Sequence, residues 1–195
     1  MDIDNTVNFQ IISNAISFYT NKGYKNVNTD WMVPIDIVSM TKPDSVDVEK
    51  DEIKCPISNK FLVASAEQGF IKQLSDKTLK PGKYQSTTPC FRNNEIEDKY
   101  HQLYFIKTEL IITDNITQEN LEIIIQDAFE FFSTFFDKDL KIIKTEDARS
   151  EASYDIEYKG IELGSYGIRR INGLEWIYGT GCAEQRLRTL LIDNK

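Results

Sequence analysis

The sequence predicts an α+β fold in which helices flank a mostly antiparallel sheet. Two stretches of strong β propensity, YQSTTPCFR and LYFIKTELIIT, lie on either side of the charged stretch NNEIEDKYH and predict a long hairpin. A segment with apolar residues at helical spacing follows this hairpin. The glycine-rich stretch from Asp155 to Arg186 predicts a pair of strands that lead into a C-terminal helix. Strands that pair as hairpins, with helices on one side of the sheet, are typical of the α+β class.

The composition indicates a protein with one hydrophobic core. Of the 195 residues, 41% are hydrophobic, and we predict a single domain over residues 1–195. The net charge of -8 argues against broad electrostatic binding to nucleic acid or anionic membranes. The start, MDIDNTVNF, has no signal-peptide pattern and no apolar run approaches a membrane span, so we expect a cytoplasmic protein with no membrane partner. Cys55, Cys90 and Cys182 form no CxxC pair, which favours reduced thiols.

The first third of the chain predicts one helix, an extended piece and a loop. Asn5 or Thr6 is a suitable cap for the helix, and Gly23 is a suitable end. The extended piece ends at Pro34, which marks a strand end or a sheet edge because proline has no N–H to donate. Residues 36–58 predict a loop with room for a short hairpin. The apolar face of the helix comprises Val7, Ile11, Ile12, Ala15, Ile16 and Tyr19.

The middle of the chain predicts a strand, a short helix, the long hairpin and a second long helix. KFLVASAEQGFIKQL predicts the strand and short helix, and a turn follows at Pro81 and Gly82. Thr117 is the predicted cap of the long helix, and Ile116 and Leu121 are placed for a hydrophobic staple. KIIK predicts another short strand. The apolar face of the long helix comprises Ile124, Ile125, Ala128, Phe129, Phe132 and Phe136.

The hairpin carries a possible nucleotide site. Because side chains alternate along a strand, Phe105, Lys107 and Glu109 face the same side of the sheet. Arg92 leaves the partner strand next to them. An aromatic ring and an arginine of this kind can stack a purine and hold a phosphate. From these residues alone, an ordinary core phenylalanine and a surface arginine are the preferred interpretation.

The C-terminal stretch adds carboxylates and a phosphate-facing turn. Asp155 and Glu162 are seven positions apart through Gly160, which can form a turn or bulge and bring both acids to one place. Carboxylates suit Mg²⁺, which is commonly shared with nucleotide phosphates. The sequence Gly-Thr-Gly at 179–181 precedes a helical tail with Arg186 in its first turns, where N–H groups and an arginine can meet phosphate.

Three stretches resemble the signature motifs of the class II aminoacyl-tRNA synthetases, in that family's order. The first helix and the strand that ends at Pro34 resemble motif 1, which implies a homodimer. CFRNNEIEDKYHQLYFIKTE resembles motif 2, with Arg92 at the arginine that binds the α-phosphate and the amino-acid carboxylate and Phe105 at the adenine-stacking residue. YGTGCAEQRLRTLL resembles motif 3, with Arg186 at the arginine that reaches the γ-phosphate. The resemblance covers nearly the whole chain and implies a mostly antiparallel catalytic domain that binds ATP.

The segment before motif 3 resembles one branch of that family. DIEYKGIELGSYGIR is similar to its counterpart in aspartyl- and asparaginyl-tRNA synthetases, and GIELGSYGIR to that in ammonia-dependent asparagine synthetase. The resemblance implies that Asp155 and Glu162 handle Mg-ATP, that Arg169 holds the substrate's side-chain carboxylate or amide, and that Lys72 contacts that side chain. We therefore expect aspartate or a close relative as the substrate. The other expected site residues are Ser65, Gln68 and Ser165 for the amino acid and His101 and Glu109 for ATP.

The expected activity is formation of an aminoacyl adenylate. The amino-acid carboxylate would attack the α-phosphate of ATP while Arg92, Arg186 and Mg²⁺ neutralise the developing charge, so both arginines are the expected catalytic residues. His101 is the only histidine, and an exposed residue without a role is an equal alternative to a triphosphate contact.

Several positions depart from the family pattern and keep three hypotheses open. Asn94 stands where many relatives have the acid of FRxE, with Glu95 one residue later, and Tyr104, Ala183 and Glu184 also differ. From the length of 195 residues we expect no anticodon-binding domain beside the catalytic core. The first hypothesis is a ligase that passes the acyl group to ammonia or another small or protein acceptor. The second is a compact synthetase that charges tRNA through the acceptor stem, and the third is a non-catalytic paralogue that senses an amino acid or ATP.

Overall fold

The fold combines six helices and nine strands within the residues described by the computed structural model, 6–43, 45–93 and 97–194. No helix of these residues is long and apolar enough to cross a membrane. The elements are, in chain order, α1 (Phe9–Asn21), β1 (Lys25–Asn26), β2 (Met32–Val33), α2 (Ile35–Ser39), α3 (Val48–Asp51), β3 (Phe61–Leu62), α4 (Ala66–Ser75), β4 (Lys83–Phe91), β5 (Tyr104–Ile112), α5 (Gln118–Ser133), β6 (Leu140–Thr145), β7 (Ala152–Tyr158), β8 (Ile161–Ile171), β9 (Leu174–Ala183) and α6 (Glu184–Asp193).

The main sheet has seven strands in the order β1-β4-β5-β9-β8-β7-β6, and only the β1–β4 pair is parallel. The predicted long hairpin is confirmed, since β4 and β5 pair without a break from Lys83 opposite Ile112 to Phe91 opposite Tyr104. The strands β2 and β3 form a separate two-stranded sheet. The α+β fold class and the antiparallel sheet are therefore as predicted.

The C-terminal stretch forms three strands, so the prediction of a pair of strands was wrong. Two tight turns separate β7, β8 and β9, and both place their central residues in the left-handed region. These are Lys159 (φ 50) with Gly160 (φ 81), and Asn172 (φ 53) with Gly173 (φ 78). Such two-residue turns join neighbouring antiparallel strands directly. The segment therefore folds back twice before α6 begins.

Helices cover both faces of the sheet, which corrects the prediction that they lie on one side. One face packs against α1, α5 and α6 through residues such as Leu110 and Ile177. The opposite face packs against α2, α3 and α4 around Ile111 and Trp176. Because strand side chains alternate, neighbours such as Leu110 and Ile111 serve different cores. The second core supports the elements that surround the candidate site.

Local differences from the predicted elements have physical reasons. Asn8, not Thr6, caps α1, because its side chain accepts from the N–H groups of Gln10 and Ile11; Asn5, the other predicted cap, lies outside the described residues. Residues 36–58 contain α2 and α3 rather than only a loop. Thr117 caps α5 as predicted. The predicted helical faces also hold in part: Val7, Ile16 and Phe129 are only half-buried, and Phe136 is buried beyond the end of α5.

A bulge in β9 positions one wall of the site. Opposite β5, Thr180 pairs with Glu109 and Cys182 pairs with Thr108, so Gly181 is the extra residue. The carbonyl of Gly181 accepts a hydrogen bond of 2.8 Å from the hydroxyl of Tyr19. Cys182 is buried in the core beside α1, whereas Thr180 lines the cavity on the other face. Because of the bulge, Thr180 and Cys182 face opposite sides of the sheet, although they are only two positions apart.

Candidate active site

A polar cavity of about 450 Å³ lies over the sheet face that carries α4. Its floor comes from β5, β8 and β9, and its walls come from α4, the segment after α2 and the loop between β6 and β7. The polar side chains that line this cavity include Ser65, Glu67, Gln68, Arg92, Lys107, Glu109, Asp147, Glu162, Ser165, Arg169, Tyr178 and Thr180.

A second cavity of about 280 Å³ lies beside the first and shares Arg92 and Glu162 with it. Phe105, His101 and Arg186 line this smaller cavity. The structure thus brings together most predicted residues, with the nucleotide candidates in the smaller cavity and the amino-acid candidates in the larger one. A third cavity, of about 840 Å³, lies between the C-terminal end of α5 and α6 and contains none of the predicted site residues. The names larger and smaller cavity refer to the first two, of about 450 and 280 Å³.

Arg92 stands between the two cavities without a carboxylate partner in the described part of the chain. Its backbone N–H donates to the carbonyl of Leu103 at 2.7 Å, which continues the hairpin one step beyond β4. Its guanidinium carbon lies 6.0 Å from the centre of the Phe105 ring. An unpaired guanidinium beside an aromatic ring can bind a carboxylate or a phosphate in a bidentate manner.

Arg186 and Glu162 bind each other at the mouth of the smaller cavity. The guanidinium of Arg186 donates to the backbone carbonyl of Glu162 at 2.8 Å and to its carboxylate at 3.1 Å. The two residues meet because Arg186 lies in the first turn of α6 and Glu162 near the start of β8. The predicted phosphate-binding arginine and the predicted metal ligand are therefore paired in the structure.

Asp155 lies opposite Ser165 on the neighbouring strand and lines neither cavity directly. Burial and the negative charge of Glu162 raise the pKa of the Asp155 carboxyl to about 6. The described residues contain no group of three or more His, Cys, Asp or Glu side chains arranged to hold a metal ion. The carboxylates of Asp155 and Glu162 nevertheless fit Mg²⁺. This ion prefers oxygen ligands and is commonly bound by one or two carboxylates, while phosphates and water supply its other ligands.

Glu109 presents a buried carboxylate oxygen that has no partner within the described residues. The side chain is only 3% exposed, and its Oε1 atom accepts from the ammonium of Lys107 at 2.8 Å while Oε2 is unpaired. Burial raises the pKa of this carboxyl. Glu109 was predicted for the ATP site, but it lines the larger cavity instead. A buried unpaired acceptor at this place fits a ligand that donates hydrogen bonds.

The floor of the larger cavity holds an ion cluster centred on Arg169. One of its nitrogens donates to both carboxylate oxygens of Glu67, at 2.7 and 2.8 Å, and the other donates to Asp147 at 2.9 Å. The indole of Trp176 also donates to Glu67, at 2.7 Å. The ring of Tyr178 stacks against the guanidinium, with its centre 4.2 Å from the guanidinium carbon. Sequence reasoning found Arg169 and missed the other four, whose contacts span distant segments.

The remaining predicted amino-acid residues have structural partners. Ser65 caps α4, since its hydroxyl accepts from the N–H of Glu67 at 3.1 Å. Gln68 bridges the wall, because its carbonyl accepts from the N–H of Ala64 and its amide donates to Thr41. Ser165 is hydrogen-bonded to Asp155, which lowers the pKa of that carboxyl against the larger effects of burial and Glu162. These side chains therefore shape the cavity as well as line it.

Lys72 lies outside both cavities, in contrast to its predicted contact with the substrate. Its ammonium pairs with Asp76 at 2.7 Å and with Asp30 at 3.4 Å. The Asp76 pair joins positions i and i+4 at the end of the helix. The cavity side of α4 carries Glu67 and Gln68 one turn earlier.

His101 is exposed and its ring Nδ1 lies 3.0 Å from both carboxylate oxygens of Asp98. The adjacent Lys99 and Tyr100 bind Asp193, at 2.7 and 2.6 Å. The returning half of the predicted motif 2 loop is therefore held against α6. Asn94 and Glu95, which depart from the family pattern, lie outside the described residues.

The comparisons with known proteins agree with this fold. Residues 14–175 match the tRNA synthetases class II core domain (F), and no curated protein matches the chain. The fold is similar to seryl-tRNA synthetase from Pyrococcus horikoshii complexed with ATP, with a TM-score of 0.76 and 18% identity over 92% of this chain and 48% of that chain. It is also similar to cytoplasmic serine-tRNA ligase from Naegleria fowleri in complex with AMP, with a TM-score of 0.72 and 16% identity over 92% and 52% of the two chains.

The chain spans about half the length of these two proteins, and identities this low show the fold alone. Neither comparison supports the predicted aspartyl and asparaginyl branch. One conclusion follows from the match over most of the sequence, the seven-stranded and mostly antiparallel sheet, and the two adjacent cavities. The chain belongs to the class II tRNA synthetase core-domain family.

Proposed function

We propose that this chain activates an amino acid with ATP to form an aminoacyl adenylate. The observation that carries the proposal is the position of Arg92, an arginine without a carboxylate partner in the described residues, on the wall shared by both cavities. At this place one guanidinium can contact a carboxylate in the larger cavity and the α-phosphate of a nucleotide in the smaller one. Holding both groups together lowers the entropy cost of their reaction.

The smaller cavity would hold ATP. Phe105 offers a ring for the adenine, and Arg186 offers a cation for the distal phosphates once its pair with Glu162 opens. Asp155 and Glu162 would hold Mg²⁺, which supplies positive charge to the phosphates. The exposed His101 lines this cavity and is a candidate contact for the triphosphate.

The larger cavity would hold the amino acid. Its carboxylate would bind Arg92, and its ammonium group would bind the unpaired oxygen of Glu109. In the reaction a carboxylate oxygen forms a bond to the α-phosphorus, the bond from that phosphorus to the bridging oxygen of the β-phosphate breaks, and pyrophosphate leaves. No side chain serves as a nucleophile, so the residues act by position and charge.

The finer parts of the proposal concern the substrate and the acceptor. The resemblance to asparagine synthetase and its relatives favours aspartate or a close relative, which a ligase would pass to ammonia or another acceptor. The alternative in which the chain charges tRNA predicts acid-stable aminoacyl-tRNA on acid gels. The sensing alternative predicts ligand binding without turnover. A cytoplasmic homodimer with one catalytic domain over residues 1–195 stays a prediction.

Pyrophosphate exchange into ATP tests the proposal through Arg92. We expect the wild-type chain to exchange labelled pyrophosphate only when its amino acid is present, and Arg92→Ala to lower the rate by about 100-fold or more, because one charge-stabilising group is lost from the transition state. Arg170→Ala is the matched control, since Arg170 follows Arg169 in β8, its side chain lies on the opposite face of the sheet, and it binds Glu151 and Glu175. Equal rates for Arg92→Ala and Arg170→Ala would contradict the proposal.

A further inference from the structure

The larger cavity contains two arginines that differ in how much of their charge is already matched. Arg92 has no carboxylate partner in the described parts of the chain, whereas Arg169 binds two carboxylates, Glu67 and Asp147. A ligand carboxylate binds readily to an unpaired guanidinium. At Arg169 the buried Nε is the one nitrogen without a partner within the described residues, so a carboxylate that binds in a bidentate manner must displace an internal carboxylate. The cavity therefore offers one ready place for a carboxylate.

Glu67 is fixed to Arg169 more firmly than an incidental surface pair would be. Arg169 is 8% exposed and Glu67 is 6% exposed, so the pair is removed from water. Both oxygens of Glu67 accept from Arg169, and the indole of Trp176 donates to one of them. Loss of Glu67 from this cluster would leave one nitrogen of the buried guanidinium and the buried indole N–H without an acceptor, which is costly.

The charges of the cluster sum to a negative value. Arg169 contributes one positive charge, and Glu67 and Asp147 contribute one negative charge each. Of the other described cations that line the cavity, Lys42 binds Glu52 and Lys107 binds Glu109, so that Arg92 alone has no carboxylate partner. An acidic substrate side chain would therefore meet net negative charge at the floor of the cavity, where the only cationic donor left without a partner among the described residues is the buried Nε of Arg169.

A basic side chain also lacks a partner at this floor. The oxygens of Glu67 are taken by Arg169 and Trp176, and Oδ2 of Asp147 accepts from Arg169 and from the hydroxyl of Ser150 at 2.7 Å. The buried carboxylate oxygen that is unpaired belongs to Glu109, which the substrate ammonium would use. Uncharged groups also line the cavity, namely the hydroxyls of Ser65, Ser165, Tyr178 and Thr180. Each already has a partner within the protein, but a hydroxyl can donate one hydrogen bond and accept two.

We propose that Glu67 takes the place of a substrate side-chain carboxylate, so that the site selects an amino acid with an uncharged, hydrogen-bonding side chain, an amide or a hydroxyl, over aspartate. Glu67 is then a specificity-determining residue: it occupies the arginine that an acidic side chain would need. The inference rests on the proposed function, because it assumes that the larger cavity holds an amino acid.

The test uses stable adenylate analogues, aminoacyl-sulfamoyl adenosines, and measures equilibrium binding to the full chain by calorimetry. The wild-type chain should bind the asparaginyl or the seryl analogue at least about tenfold more tightly than the aspartyl and lysyl analogues, and the better of the two distinguishes amide from hydroxyl. Glu67→Gln keeps the size and the acceptor of the side chain but removes its charge. This variant should lower the preference for the asparaginyl or seryl analogue over the aspartyl analogue by about tenfold or more, or reverse that preference.

Two further variants keep the result interpretable. Asp147→Asn, which removes the second carboxylate of the cluster, should shift the preference in the same direction if Glu67→Gln does not fold. Glu175→Gln removes an exposed charge that binds Arg170 outside the cavity, and it should leave the preference unchanged. Preference of the wild-type chain for the aspartyl or lysyl analogue would overturn this inference and leave adenylate formation standing. Absence of binding by every analogue would overturn the proposed function and the inference with it.

Discussion

Three arginines of the candidate site have the same side chain and different partners. Arg92 has no carboxylate partner among the described residues, Arg186 binds the half-exposed Glu162, and Arg169 binds the buried Glu67 and Asp147. The partners of each guanidinium decide what else it can bind. The order of availability to an anion therefore follows from the contacts: Arg92 first, Arg186 next and Arg169 last.

The sequence identified which residues line the site better than it identified the partners that these residues bind. Arg92, Phe105, Glu162, Arg169 and Arg186 were predicted from motifs, and each lines one of the two cavities. The pairing of Arg169 with Glu67 was not predictable, because it joins residues 102 positions apart and depends on how α4 packs on β8. Spacing within a motif carries no information about such contacts.

The Asp147 carboxyl predicts a pH dependence of stability. Burial raises its pKa, but hydrogen bonds from Arg169, from the N–H of Arg149 and from Ser150 outweigh burial and lower the pKa to about 2. Because the folded pKa is below the unfolded value of about 3.9, this carboxylate stabilises the fold fully above pH ~4, and the contribution is lost as the pH falls through about 2.

The variant Asp147→Asn should therefore lower the free energy of unfolding by about 2 kcal/mol at pH 6. The difference from the wild-type chain should shrink as the pH falls from about 4 to about 2, where the wild-type carboxylate is itself protonated. Urea titrations of both chains at several pH values measure this difference. A difference that stays constant down to pH ~2 would contradict the role given to this carboxylate.

The elements show where sequence patterns were sufficient. The strands of the hairpin and the helix after Thr117 are long and strongly patterned, and their predicted positions are confirmed. The helices α2 and α3 have five and four residues, and their stability comes from packing of Ile37, Val38 and Val48 into the second core. Helices this short are marginal by themselves, which is why their sequence predicted a loop.

Close packing between β9 and its neighbours predicts that Gly179 tolerates no side chain. A Cβ atom at this position would lie 2.7 Å from the ring of Tyr166 and 2.9 Å from Ile124. The ring has little freedom to move, because its hydroxyl donates to the carbonyl of Thr180 at 2.7 Å. Gly179→Ala should lower the free energy of unfolding by about 2 kcal/mol.

The measurement is again urea unfolding, with Ser13→Ala on the exposed face of α1 as the control. The control should change the free energy of unfolding by less than about 0.5 kcal/mol. If Gly179→Ala is as stable as the control, the packing of β9 against Tyr166 and α5 is not as close as the structure indicates.

The two faces of the main sheet have different roles in the molecule. One face and the helices α1, α5 and α6 form a large apolar core. The other face carries the second core at one end and the two polar cavities beside it. The fold class followed from the sequence because local patterns define strands and hairpins. The use of both faces did not, since one strand pattern permits helices on either side.

The most direct test of adenylate formation measures whether an ¹⁸O atom passes from the amino-acid carboxylate to AMP. The full chain would be incubated with ATP, Mg²⁺, hydroxylamine as acceptor, and the amino acids in turn, each labelled with ¹⁸O in its carboxylate. Attack by the carboxylate on the α-phosphorus leaves one labelled oxygen in the phosphate of AMP after acyl transfer. We predict AMP that carries one ¹⁸O atom with the cognate amino acid; AMP without the label, or no AMP with any amino acid, would contradict the account.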